Sequence, residues 1–148
     1  MKNIKGCLTS NSDEWATPSA IYERFMIKGY FDPCPLNHKV DGLAIAWKNW
    51  NFVNPPYSDI SKWVDKAILE GNRGNWSIML LPSRTDTQWF KKLVNHGCEF
   101  MFIEGRLKFN DSKSAPFPSM FVVVKCKFDF YKMSFLTREK LNERFSIK

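Results

Sequence analysis

Apolar and polar positions along this chain fall into alternating strand-like runs and helical faces, and the breaks between them are well punctuated. The stretch "ATPSAIYERFMIKG" has helix signals at both ends: Thr17 as N-cap, Pro18 at the first helical position and Gly29 past the end. "YFDPCP" reads as a short strand closed by Asp32-Pro33, and "WNFVN" as the next strand. In "SDISKWVDKAILEG", Ile60, Trp63, Val64, Ala67 and Ile68 share one face of an amphipathic helix, capped by Ser58 or Asp59 and stopped at Gly71. "WSIMLLP" is a buried strand ending at Pro82. "TDTQWFKKLVNHG" follows as a helix with Trp89, Phe90, Leu93 and Val94 on one side, and "CEFMFIEG" as a strand. A polar loop, "NDSKSAPFP", leads into "SMFVVVKCKF", the strongest strand pattern of all, and a short helix is expected from Thr137.

Apolar strands alternating with helices of this length predict βαβ units and a mostly parallel sheet with helices on both faces. The last two or three strands lack an intervening helix, which predicts an antiparallel C-terminal edge. In open sheets of this kind ligands bind outside the carboxyl ends of the strands. Asp32-Pro33, Asn54-Pro55-Pro56-Tyr57 and Pro82-Ser83-Arg84 would then converge on one edge. A chain of 148 residues without repeats or linkers is expected to form a single domain, 1–148, with residues 1–12 as a flexible lead. Such a length buries roughly two-thirds of the unfolded surface.

Composition adds the partner. Aromatic residues make up 16% of the chain, either as a core of large side chains or as stacking surface for bases or an adenine-bearing cofactor. The formal charge of +7 suits a polyanion. Cys7, Cys34, Cys98 and Cys126 form no C-x-x-C pair and only two histidines could assist them, which argues against zinc or another metal. Neither a signal peptide nor an apolar run approaching roughly 18 residues is evident. The expectation is therefore a cytoplasmic protein with free thiols and no membrane partner.

The stretch that asks for chemistry is "WNFVNPPYSD". Two prolines cannot continue a ladder, since neither has an N–H to donate. An exocyclic amine on a nucleobase is a poor nucleophile because its lone pair is delocalised into the ring. Two acceptors placed to take both its N–H hydrogens would draw the nitrogen toward a tetrahedral geometry. The Asn54 side-chain oxygen and the Pro55 carbonyl are candidates, Pro56 adds stiffness and Tyr57 offers a face for an unstacked base. A stiff Pro-Pro turn with a tyrosine covering the core explains the same residues. Proline-rich recognition would need the tyrosine one position later.

Several blocks in order resemble the phage-type (Dam-like) DNA N6-adenine methyltransferases, which depend on S-adenosylmethionine: "DEWATPSAIY", "FDPCPLN", "DGLAIAW", "NPPYSDISKWVDKA", "MLLPSRTDTQWF" and "IEGRLKF…APFPSMFVVV". They span roughly Asp13 to Val124. The resemblance implies an abbreviated Rossmann-like methyltransferase fold, DNA adenine as substrate, and a target base held by the NPPY motif, Asn54 to Tyr57. It places the cofactor turn at Asp32-Pro33-Cys34, with Asp32 accepting from the ammonium group of the methionine end. Trp15 and Thr17 resemble the family's N-terminal cofactor block, and Asp41 an acidic position near the cofactor's adenine. Thr17 as a plain N-cap and Asp41 as a solvated loop residue account for the same positions.

Two departures from the family's pattern stand out. The turn "DPCPLN" has no glycine before Gly42, where most methyltransferases let bare backbone approach the cofactor. No separate target-recognition domain fits, so DNA contacts fall to the Gly105–Pro118 segment, with Arg106 and Lys108 toward phosphate and Arg84 beside the active edge. A short or relaxed recognition sequence follows. Cytosine's amine or a protein glutamine amide could suit the same tetrapeptide. From another class comes a degenerate methyltransferase-like protein, acting in DNA binding or anti-restriction without catalysis.

Overall fold

A computed structural model describes residues 15–37, 39–109, 113–127 and 132–145. The lead expected over residues 1–12 lies outside them. In chain order the elements are α1 (Ser19–Ile27), β1 (Trp50–Val53), α2 (Ile60–Asn72), β2 (Trp76–Pro82), α3 (Gln88–His96), β3 (Glu99–Ile103), β4 (Lys108–Phe109), β5 (Lys113–Ser114), β6 (Ser119–Val124), β7 (Lys132–Leu136) and α4 (Arg138–Phe145). Five strands form one open sheet in the order β1-β2-β6-β3-β7, and β4 and β5 pair as a separate small ribbon.

The sheet is mixed, which corrects the expectation of a mostly parallel one. β1 pairs parallel with β2, and β3 with β7, but β6 runs antiparallel to both of its neighbours, β2 and β3. The antiparallel strand is thus interior, and the C-terminal edge strand β7 is parallel to its neighbour. Burial explains the placement. In β6, Ser119 to Val124 are buried at every position but Val123, as a strand covered on both faces must be. In β7 only Leu136 is buried, and Met133 and Phe135 remain exposed. The predicted strand "YFDPCP" shrinks to one parallel bridge, Phe31 to Asn51. Pro33 and Pro35 have no N–H with which to extend it.

Alternation along the strands divides the core between the two faces. Val53, Met79, Leu81 and Val122 pack with Trp63, Val64, Phe90 and Leu93 of α2 and α3. Phe52, Leu80 and Phe121 pack with Ile21 and Phe25 of α1 and Leu141 of α4. Phe25 stacks on Phe52 at 4.3 Å, pinning α1 against β1. Truncating a ring buried as deeply as Phe52 would cost about 3–5 kcal/mol.

Helix ends follow the sequence in part. Thr87 caps α3 by accepting from the Phe90 N–H, and Gly97 closes it in the left-handed region at φ 82. Pro18, not Thr17, holds the N-cap position of α1, without a side-chain cap. α2 begins after Asp59, again without a side-chain cap, and runs through Gly71 to Asn72. Gly71 is a contact point and not a stop: a Cβ there would stand 2.7 Å from the Lys125 carbonyl oxygen. It lets α2 lie directly against the end of β6.

Candidate active site

Because β1 and β2 are parallel, their carboxyl ends deliver Asn54 and Ser83 to the same edge of the sheet. A cavity of about 630 Å³ opens there, between the segment entering α1, the turn after Phe31 and Asn54-Pro55-Pro56. That size suits a drug-sized ligand or cofactor. Of the residues singled out in the sequence, Trp15, Thr17, Asp32, Cys34, Asn54, Pro55 and Pro56 line it. Pro33, Asp41, Tyr57, Arg84, Arg106 and Lys108 do not. Asp41 is exposed and caps its own turn, its Oδ1 accepting from the Leu43 N–H at 2.9 Å.

Asn54 is the most informative side chain. Its Nδ2 donates to the Trp15 carbonyl at 2.6 Å and to Thr17 Oγ1 at 3.0 Å. A carbonyl oxygen only accepts, so the nitrogen end of the amide must face Trp15. Oδ1 is thereby turned away from these partners, and it is a buried acceptor with no hydrogen bond among the described residues. An acceptor left unpaired out of water carries a penalty of about 1–3 kcal/mol. Asn54 lines the cavity, and a donor that reached this oxygen would relieve that penalty.

The second wall is the Asp32 turn. Asp32 Oδ1 accepts the Cys34 N–H at 2.8 Å, and its other neighbour is the Tyr22 hydroxyl, which hydrogen-bonds to it. Burial, then the Asp32 charge, raise the Cys34 thiol to about 12, so it stands in the cavity as a neutral group. Burial and Asp32 likewise raise the Tyr22 hydroxyl above its ordinary value. A glycine in the next loop packs against this turn. A Cβ on Gly42 would run into the Pro33 carbonyl oxygen and stand 2.8 Å from the Trp63 ring. Trp47 Nε1 holds that loop by donating to the Gly42 carbonyl at 2.8 Å, and the Trp47 ring stacks beside Trp63. Close backbone approach is retained, with the bare residue on the opposite strand of the contact.

Tyr57 lies at the end of the sheet, where it touches both halves of the core. Its ring meets Phe117 edge-to-face at 5.3 Å and Phe109 at 6.5 Å. Trp15 meets the same two rings, at 5.2 Å and 5.6 Å. Residues 105–109 and 113–118 therefore lie against this edge of the sheet through Phe109 and Phe117, tied by the Ala115 N–H to the Leu107 carbonyl and the Ser83 N–H to the Pro118 carbonyl. The Tyr57 hydroxyl is buried without a partner among the described residues, and burial raises its pKa against the opposing charge of Arg84. Arg84 is half-buried beside this tyrosine, whereas Arg106 and Lys108 are exposed on the covering segment.

Sequence reasoning passed over Tyr22 and Glu23, which line the cavity from α1, and Phe109 and Phe117, which clamp Trp15 and Tyr57. Ser19, Tyr22 and Glu23 share a helical face by their spacing, and that pattern was readable. Two phenylalanines inside a polar basic loop were the other available signal. Among the described residues no three His, Cys, Asp or Glu side chains gather as a metal-ligand set, and no helix is long and apolar enough to cross a membrane.

Comparison with known proteins bears on what this edge is for. The family model for DNA N-6-adenine-methyltransferase (Dam) matches residues 6–144. A DNA N-6-adenine-methyltransferase of Haemophilus phage HP1 (strain HP1c1) is 26% identical over 160 residues, covering 91% of this chain and 92% of that protein. A DNA N-6-adenine-methyltransferase of Escherichia phage T1 is 38% identical over 56 residues, covering 38% of this chain and 24% of that protein. No solved structure matches the chain. With nearly its whole length matched, the chain belongs to the DNA N-6-adenine-methyltransferase (Dam) family.

Proposed function

We propose that this protein transfers a methyl group from S-adenosylmethionine to the exocyclic N6 amino group of adenine in DNA. The observation that carries the proposal is the buried Asn54 Oδ1, an acceptor with no partner among the described residues, on a side chain that lines a cofactor-sized cavity. Such an atom calls for an N–H or O–H donor, and the target amine offers two.

The lining fits the methyl donor. Asp32 and Glu23 are acidic groups suited to an ammonium or sulfonium charge, and Trp15, Pro35 and Leu36 give apolar surface for its ring and chain. Trp15, Asp32, Pro33 and Cys34 are the residues we assign to it; Thr17 lines the same cavity with its hydroxyl bonded to Asn54, and Asp41 lies outside the lining. When bound, S-adenosylmethionine supplies an electrophilic methyl group. The protein's own part is positioning and electrostatics. Asn54 Oδ1 accepts one N–H of the target amine and the Pro55 carbonyl the other, which localises the nitrogen lone pair. Pro56 keeps the turn stiff. Phe109 and Phe117 fix the plane of Tyr57 against which the flipped adenine rests. The amine proton leaves to solvent after transfer.

Arg84, Arg106 and Lys108 are the proposed DNA contacts, and a short or relaxed recognition sequence accompanies a covering segment this small. We read the open α/β sheet as an abbreviated Rossmann-like methyltransferase domain spanning 1–148. The reading of a degenerate, non-catalytic relative rests on the glycine-free turn; against it, Gly42 lets the Pro33 carbonyl pack closely and so supports the shape of that turn.

The test is tritiated methyl transfer from S-adenosylmethionine to unmethylated DNA, followed by nucleoside chromatography. Labelled N6-methyladenine is expected. Calorimetric binding of S-adenosylmethionine without any labelled product would leave the degenerate reading standing.

A further inference from the structure

We infer that Thr17 is a positioning residue: the Trp15 carbonyl, which can only accept, sets which end of the Asn54 amide it meets, and the Thr17 hydroxyl takes the second amide hydrogen and holds the side chain in that orientation. The inference deepens the proposed function and rests on it for its catalytic consequence. The two ends of an asparagine amide have nearly the same shape, so a half-turn exchanges one acceptor for two N–H donors. At Asn54 that exchange would invert what the cavity offers to a base, from recognising an amine to recognising a carbonyl. Both Nδ2 hydrogens are engaged, one by the Trp15 carbonyl and the other by Thr17 Oγ1. None is left to present to a ligand, and Oδ1 alone remains. The side chain of Thr17 is free for this task because Pro18 occupies the N-cap position of α1, which has no side-chain cap bond. A threonine that the sequence offers as a helix cap or a cofactor contact thus acts through Asn54.

The closest probe is Thr17→Val, which keeps the shape and removes the oxygen, with Thr17→Ser as the conservative rescue. Loss of one neutral hydrogen bond predicts a kcat about tenfold lower in Thr17→Val. Calorimetric affinity for S-adenosylmethionine should be unchanged, and Thr17→Ser should return kcat toward wild type. In nitrogen-15 spectra the Asn54 side-chain amide, assigned by its disappearance in Asn54→Ala, should be protected from exchange in wild type and Thr17→Ser and lose protection in Thr17→Val. Weaker S-adenosylmethionine binding by Thr17→Val with kcat retained at saturation would make Thr17 a cofactor contact and overturn the inference. So would an Asn54 amide signal indifferent to the substitution. A wild type that transfers no methyl would defeat the proposed function instead, and the amide spectra would still decide the lock.

Discussion

Asn51 and Asn54 stand on one strand and its exit, and their amides are treated in opposite ways. Asn51 is fully buried, and its side chain is satisfied at both ends: Oδ1 accepts the Lys48 N–H at 3.0 Å, while Nδ2 donates to the Lys48 carbonyl at 2.6 Å and the Trp76 carbonyl at 2.9 Å. It joins the turn before β1 to the start of β2. Asn54 has the same donors in use but leaves Oδ1 unpaired. A structural amide completes its bonds within the protein, whereas the amide we propose for the site leaves one acceptor open to a substrate. The distinction lies in which lone pair lacks a partner, and it goes with position: Asn51 is fully buried within the strand, whereas Asn54 is half-buried at its exit.

That contrast is open to direct attack. Asn54→Ala should lower methyl transfer by about 10²–10³-fold, as removal of one transition-state hydrogen-bond partner does elsewhere. Stability should fall by only about 1 kcal/mol in denaturant titration. An active Asn54→Ala protein would end the acceptor argument. Asn51→Ala should do the reverse: a loss of roughly 2–4 kcal/mol of stability, because three backbone groups lose their partner, with transfer per folded molecule retained. If Asn51→Ala folds normally and loses activity, the two amides have been assigned the wrong way round.

Smaller effects test the surroundings of the two walls. Gly42→Ala should displace the Asp32-Pro33-Cys34 turn, destabilising the protein by about 1–3 kcal/mol and weakening S-adenosylmethionine binding measured by calorimetry. Unchanged binding would mean that the turn tolerates a shifted Pro33. Arg106→Ala and Lys108→Ala should each weaken DNA binding evenly across sequences and reduce the salt-dependence slope by about 1. Cofactor affinity should be unmoved by either.

Much of the fold was legible where periodicity and end signals agreed. α2, β2 and β3 fall within a residue or two of their expected bounds, α3 starts three residues late, and the hydrophobic face Ile60-Trp63-Val64-Ala67 is buried as its spacing predicts. Errors came where a local signal had a tertiary use. Gly71 resembles a helix stop but meets Lys125, Thr17 resembles a cap but holds Asn54, and β6 resembles a late edge strand but enters the middle of the sheet. Its buried run "MFVVV" was itself a clue to a central position.

By itself, the sequence determined which segments become helices and strands, and that Asn54-Pro55-Pro56-Tyr57 ends a strand on residues no ladder can use, because those properties depend on neighbours a few positions away. Only the tertiary structure decided that β6 runs antiparallel between β2 and β3, that Gly42 makes room for a turn several residues upstream, and that the Asn54 amide turns its nitrogen to Trp15 and Thr17, leaving a buried oxygen with no partner among the described residues. Those outcomes depend on groups distant in sequence competing for the same space and the same hydrogen bonds. A local pattern carries no record of that competition.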